Sequence, residues 1–160
     1  MANTRFKTKP MRHQLANFKR AADREYFAHL DEQGTGKTKV LIDTASSLFG
    51  QDKIDLLLVV APKGVDLVWR DEQLVEHMPE WTNYVAACWR PNFPNRAAMK
   101  AWDAMEYAKG RVLRVALFTY EGIVTATGMK VARMLMQRFR TMMVLDESHY
   151  IANMESTRTK

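Results

Sequence analysis

The run LLLVVA at Leu56–Ala61 has no polar position on either side of a β-strand. Successive side chains of a strand point to opposite faces, so a run that is apolar throughout has to be covered from both sides. A parallel sheet with helices packed on each face meets that condition, whereas an antiparallel sheet with one wet face does not.

The rest of the chain supplies the helices and further strands. Gln14 to about His29 places Leu15, Phe18, Ala22 and Tyr26 near one helical face, and a short strand is expected to lead from there into a glycine-rich stretch. Lys37 to Phe49 reads as a helix stopped by Gly50. Pro62 ends the LLLVVA strand, Asp66 to about His77 returns to helical spacing, and Pro79 stops it. NYVAACW, VLRVALFTY and TMMVLDE read as three more strands. Asn95 is placed to cap a helix running to Gly110, and a further helix is expected around KVARMLMQRFR. Strands and helices that alternate through short loops indicate parallel β-α units. The expected fold is therefore α/β, a three-layer α/β/α sandwich with a mainly parallel sheet. Ligands in such sheets bind at the carboxyl ends of the strands.

A chain of 160 residues fits one domain, residues 1–160, with room for a substantial core. With 47% hydrophobic and 26% charged residues the composition is that of a globular protein rather than a disordered one. Cys88 is the only cysteine, which excludes an internal disulfide framework and suits a reducing compartment. The basic N-terminus, MANTRFKTKPMRHQ, is not followed by an apolar signal core, and the densest apolar run is far too short to span a bilayer. A soluble, cytoplasmic protein without a membrane partner is expected. The net charge of +6 is compatible with a polyanionic partner. The four histidines lack metal-ligand spacing, so no zinc site is expected.

Chemistry concentrates at two strand ends. The first is HLDEQGTGKTKVLI, which finishes like the phosphate-binding pattern G-x-x-x-x-G-K-[ST] but carries Asp31 where that pattern has its first glycine. Without side chains at Gly34 and Gly36, the backbone from Gln33 through Thr35 could wrap closely around phosphate oxygens with its N–H groups inward. The helix that follows adds its positive end to the same anion. Lys37 would pair with the β- and γ-phosphates, and the Thr38 hydroxyl would ligate Mg²⁺. The second is MMVLDESHY, in which Asp146 and Glu147 leave a buried strand. A magnesium nucleotide needs one carboxylate near the metal and a group to orient the attacking water, roles that suit Asp146 and Glu147 in turn. Taken singly, the first could be an incidental basic turn and the second a solvated acidic one. Together they predict a site for ATP and Mg²⁺.

LDEQGTGKT followed by LDESHYIAN resembles the first RecA-like lobe of the superfamily 2 helicases and translocases, in particular the Swi/Snf-like branch with its DEAH-type box. That branch reads A-D-E-M-G-x-G-K-T and D-E-A-H-R-I-K-N, so an acid at the Asp31 position belongs to its pattern. KPMRHQ resembles the adenine-reading Q-type motif, which implies Gln14 as base reader. LLVVAPKGVDLVWRDE resembles motif Ia, with Pro62 and Lys63 at the strand exit and Trp69 and Glu72 on the helix behind. LFTYEG resembles motif Ib, with Thr119 and Tyr120 in place. The resemblance implies a P-loop ATPase lobe whose hydrolysis is coupled to movement on nucleic acid. It further implies duplex DNA held by its backbone at Lys63, Thr119 and Tyr120, with His149 in a coupling role. A full member of the family would continue past the acidic box to a motif III strand and a second lobe carrying an arginine finger. On that basis the chain is expected to be incomplete at its C-terminus. A second RecA-like lobe or a partner chain, a second copy by strand exchange included, would have to supply the rest. Departures from the family pattern are Leu30, Ser148, Tyr150 and Ala152.

Two other readings stay open. A half-motor could serve as a non-catalytic binding or assembly module, or an unrelated P-loop kinase could phosphorylate a small acceptor. The absence of a recognisable lid segment and the Asp146-Glu147 pair followed by His149 speak against the kinase. Lys130, Arg133, Gln137 and Arg140 recur at helical spacing and are read most simply as the solvated stripe of one amphipathic helix. The tryptophans and methionines lie mostly at apolar positions of expected elements and read as core. Cys88, inside an apolar strand, is expected to be buried and inert.

Overall fold

The computed structural model describes residues 6–22 and 35–147. Its centre is a sheet of four strands: β1 (Leu56–Ala61), β2 (Tyr84–Cys88), β3 (Leu113–Thr119) and β4 (Thr141–Leu145), in the spatial order β2-β3-β1-β4. Every pairing is parallel, so the expected α/β class with a parallel sheet is observed. In register, Leu58 stands between Ala116 of β3 and Met143 of β4.

The two faces of β1 go to two separate cores. Leu57, Val59 and Ala61 join Val115, Leu117 and Val144 beneath Ile42, Ala45 and Phe49 of α2 (Lys37–Gly50) and beneath Trp69 and Leu74. Leu56, Leu58 and Val60 join Ala116 and Phe118 against Trp102 and Met105 of α5 (Arg96–Glu106) and Ala132 and Leu135 of α7 (Ala126–Arg138). All six residues of β1 are buried, as a strand covered on both sides requires. Trp89 stacks on Phe118 with ring centroids 5.4 Å apart, and Trp102 meets Phe118 edge-on at 5.8 Å, so aromatic packing dominates the second core.

Helix boundaries follow local chemistry. Helix α1 (Arg12–Ala22) packs on α2, and Asn95 caps α5 by accepting from the Ala98 N–H, as its position in the sequence suggested. Between β1 and β2 one helical stretch contains α3 (Val65–Val68), a π-helical turn at Trp69–Gln73, and α4 (Leu74–His77). A short helix α6 (Tyr120–Ile123), which the sequence reading did not anticipate, follows β3 directly because the Thr119 hydroxyl accepts from the Gly122 N–H. Thr125 then caps α7, accepting from the Gly128 N–H and donating to the Gly122 carbonyl.

Four expectations need correction. Most of the described methionines, read as core, are exposed, Met99, Met129, Met134, Met136 and Met143 among them. Helix α1 begins at Arg12, ahead of Gln14. Helix α5 stops at Glu106, short of Gly110. Helix α7 ends at Arg138 because Phe139 is extended, so Arg140 falls outside the basic stripe. Arg140 instead pairs with Asp55 at the amino end of the sheet, which ties β4 to the approach to β1. The strand expected ahead of the glycine loop, along with Tyr26, lies outside the described residues. Among those residues no strand pairs with the outer edge of β4, where Met143 and Leu145 are about half exposed (48% and 47%). No helix among the described residues is long and apolar enough to cross a membrane.

Candidate functional site

The connections out of the strands mark where a ligand would sit. After β1 the chain turns to the face carrying Trp69, whereas after the adjacent β3 it turns to the opposite face, where Tyr120 and Ile123 pack. Adjacent parallel strands whose connections leave on opposite faces open a crevice at their carboxyl ends. Its rim here is Pro62–Gly64 after β1 and Thr119–Gly122 after β3, with Asp146 beside them at the end of β4.

Asp146 is held at three points. Its N–H donates to the Val60 carbonyl at 2.9 Å, which extends the β1–β4 ladder. Its carbonyl accepts from the Tyr120 hydroxyl at 2.8 Å, and its carboxylate Oδ2 accepts from the Trp69 indole N–H at 2.7 Å. Both aromatic donors are buried, Trp69 at 1% exposure and Tyr120 at 4%. Burial pushes the Tyr120 phenol up to about 12, and the Asp146 and Glu147 carboxylates add to that, so it stays a donor throughout the neutral range. Glu147 follows with φ +53°, in the left-handed region that a side-chain-bearing residue rarely occupies.

The glycine loop is described from Thr35 onward. Gly36 takes φ +75° and starts α2. The dihedral selects glycine, and a Cβ there would stand 2.3 Å from Gln14 Nε2 and displace that amide. Gln14 is buried against this loop: its Nε2 donates to the Thr35 carbonyl at 3.1 Å, and its Oε1 accepts from the Met11 N–H at 2.9 Å. His13 Nε2 is 3.0 Å from the same Thr35 carbonyl. The expected base reader is therefore built into the loop it was expected to accompany. Lys37 and Thr38 lie in the first turn of α2, partly exposed. The last turn of that helix is anchored at the amino edge of the sheet, where the Phe49 carbonyl accepts from Arg111, so its first turn points away from that edge.

Of the residues expected on the nucleic-acid face, Lys63 is exposed on the turn after β1. Thr119 and Tyr120 are turned inward, one capping α6 and the other holding Asp146. Beneath Lys63 the fully buried Asp66 accepts from the Gly64 N–H and pairs with Arg90, which fixes the turn. Gln33, Gly34 and His149, along with Asp31 and Ser148, lie outside the described residues.

Two contributors escaped the sequence reading. Trp69 was noted only for its place behind the motif Ia strand, and nothing local reveals that its indole reaches a carboxylate 77 positions later. Asp66 lies within the stretch that resembles motif Ia, but nothing in its local sequence reveals its pairing with Arg90. Among the described residues no three His, Cys, Asp or Glu side chains cluster as a metal cage. One carboxylate with a hydroxyl suits a Mg²⁺ that takes its other ligands from phosphates and water, and such an ion needs no cage of side chains. Cys88 is buried, and its thiol is pushed up to about 11, chiefly by burial, as an inert core thiol would be.

The fold and site define a parallel α/β protein with an acidic residue fixed at a strand end and a glycine-started helix on one face. No protein-family model matches the chain, and no curated protein matches it.

Proposed function

We propose that the chain is the ATP-binding first motor lobe of a Swi/Snf-like DNA helicase or translocase. The observation that carries this reading is the clasp on Asp146. An aspartate held by its carboxylate from the connection after β1 and by its backbone carbonyl from the connection after β3, at the carboxyl end of a parallel sheet that also carries a glycine-started helix, is what magnesium-nucleotide binding calls for. In this reading the backbone from Gln33 to Gly36 cradles the phosphates, Lys37 pairs with them, and Gln14 braces the loop near the base. Thr38 and Asp146 would hold Mg²⁺, which when bound neutralises phosphate charge. Glu147 would take the proton of the attacking water, and His149 would couple the site to the nucleic-acid side. Lys63 would meet the DNA backbone while Thr119 and Tyr120 shape the rim beneath it. The outer edge of β4, which no strand among the described residues pairs with, would receive a strand from a second lobe or a partner chain. A cytoplasmic setting fits the single reduced cysteine.

The test is binding and turnover of ATP by the wild-type chain, Lys37→Ala and Glu147→Gln, each with and without duplex DNA. Nucleotide binding should be present in the wild type and fall at least ~10-fold in Lys37→Ala, the loss expected for a charge-assisted contact. Glu147→Gln should keep binding and lose turnover, which is slow at best in the wild type without a second lobe. Equal binding by wild type and Lys37→Ala would remove the ATP reading. DNA binding without nucleotide binding would favour the non-catalytic module.

A further inference from the structure

We propose that Trp69 is a positioning residue for Asp146: its indole N–H occupies Oδ2, so that the carboxylate presents its other oxygen to a cation. This rests on the reading of Asp146 as a magnesium ligand and assigns a role to a residue that reading does not use.

Four observations converge on it. Trp69 is 1% exposed, and its one polar atom is spent on Asp146 at 2.7 Å, the length of a charge-assisted bond. A buried indole needs an acceptor, but most find a backbone carbonyl or water; here the acceptor is the carboxylate at the strand end. Trp69 also opens a π-helical turn, Trp69–Gln73, within an otherwise α-helical stretch. Such turns insert one residue, re-aim the side chains around them, and gather at functional sites. Finally, the backbone of the same aspartate is held independently by Val60 and Tyr120. With the main chain already fixed there, the indole adds control over the rotation of the carboxylate itself. A carboxylate so oriented meets an incoming cation without first losing rotational freedom.

The experiment replaces the Trp69 indole with benzothiophene, incorporated as the amino acid β-(3-benzothienyl)alanine, which keeps the shape and removes the N–H. The cation is read directly, as Mn²⁺ binding by electron paramagnetic resonance in the presence of ADP, alongside binding of ADP without divalent ion. The variant should bind Mn²⁺ with ADP roughly 10-fold more weakly while binding metal-free ADP as the wild type does, the size expected for one hydrogen bond to a charged group. Unchanged Mn²⁺ affinity would overturn the proposal, and so would an equal loss with and without the cation, which a merely structural indole would give. A second measurement needs no variant: Mn²⁺ with ADP should broaden the Trp69 indole N–H resonance of the wild-type chain selectively, and a sharp resonance at saturating Mn²⁺ would overturn the proposal. If the wild type binds neither ADP nor Mn²⁺, the nucleotide reading fails and this inference with it. If the wild type binds both and the variant matches it, only the role of Trp69 fails.

Discussion

Arg90→Met and Asp66→Asn remove opposite halves of one ion pair, and the structure makes their costs unequal. The Asp66 side chain is fully buried, whereas that of Arg90 retains 28% of its surface. Losing the arginine strands a carboxylate where water cannot reach it, and breaking a buried pair in this way costs about 3–5 kcal/mol. Losing the charge of the aspartate is milder. The guanidinium can turn to solvent, and an asparagine still accepts from the Gly64 N–H, so the cost is about 1–2 kcal/mol. In a domain of this size ~1 kcal/mol corresponds to roughly 2–4 °C in Tm. Arg90→Met should therefore melt about 6–20 °C below the wild type, and Asp66→Asn only a few degrees below. The double variant should recover part of the Arg90→Met loss, because the stranded charge is gone. Circular dichroism melts with urea titrations measure all four proteins. If Arg90→Met is no worse than Asp66→Asn, or the double variant recovers nothing, burial of the carboxylate is not what sets the energetics of this turn.

Two further predictions concern stability. A Cβ at Gly128 would stand 2.2 Å from the Gly122 carbonyl oxygen, a backbone atom that cannot rotate away. Gly128→Ala gains about 1 kcal/mol in helix propensity but forces α6 and α7 apart; a net loss of ~1–2 kcal/mol is expected, and a stabilised variant on urea unfolding would refute the close approach. His77, bonded through Nδ1 to the Thr8 hydroxyl, is held below its usual pKa, first by burial and then by Lys39 and Lys7, with Glu76 opposing. A histidine with a depressed folded pKa contributes stability that is full above its unfolded value near ~6.5 and is lost as pH falls through that range. The wild type should thus lose more stability on acidification than His77→Gln does, and parallel pH profiles would contradict the assignment.

What could be read in the sequence, and what could not, divides along a physical line. The alternation of apolar runs and amphipathic stretches carried the fold class, because burial on both faces leaves a mark at every position of β1. Asn95 was legible for a similar reason, since a cap acts within four residues. Contacts made across the fold left no such mark. The Trp69 indole and the Asp146 carboxylate meet only after β1 and β4 pair, and Asp66 finds Arg90 only because β2 and the turn after β1 end at the same rim. The basic spacing continues through Arg140 and so hides the end of α7, where Phe139 is extended and Arg140 pairs with Asp55 across the fold.

The left-handed backbone of Glu147 has an evolutionary consequence. Holding a glutamate at φ +53° costs about 1–2 kcal/mol that a glycine would not incur. Selection for stability alone would drift toward glycine at this position, and that drift would erase the carboxylate. A lineage that keeps an acid there does so against a standing thermodynamic incentive. Position 147 is thus where backbone ease and an acidic side chain compete for the same residue.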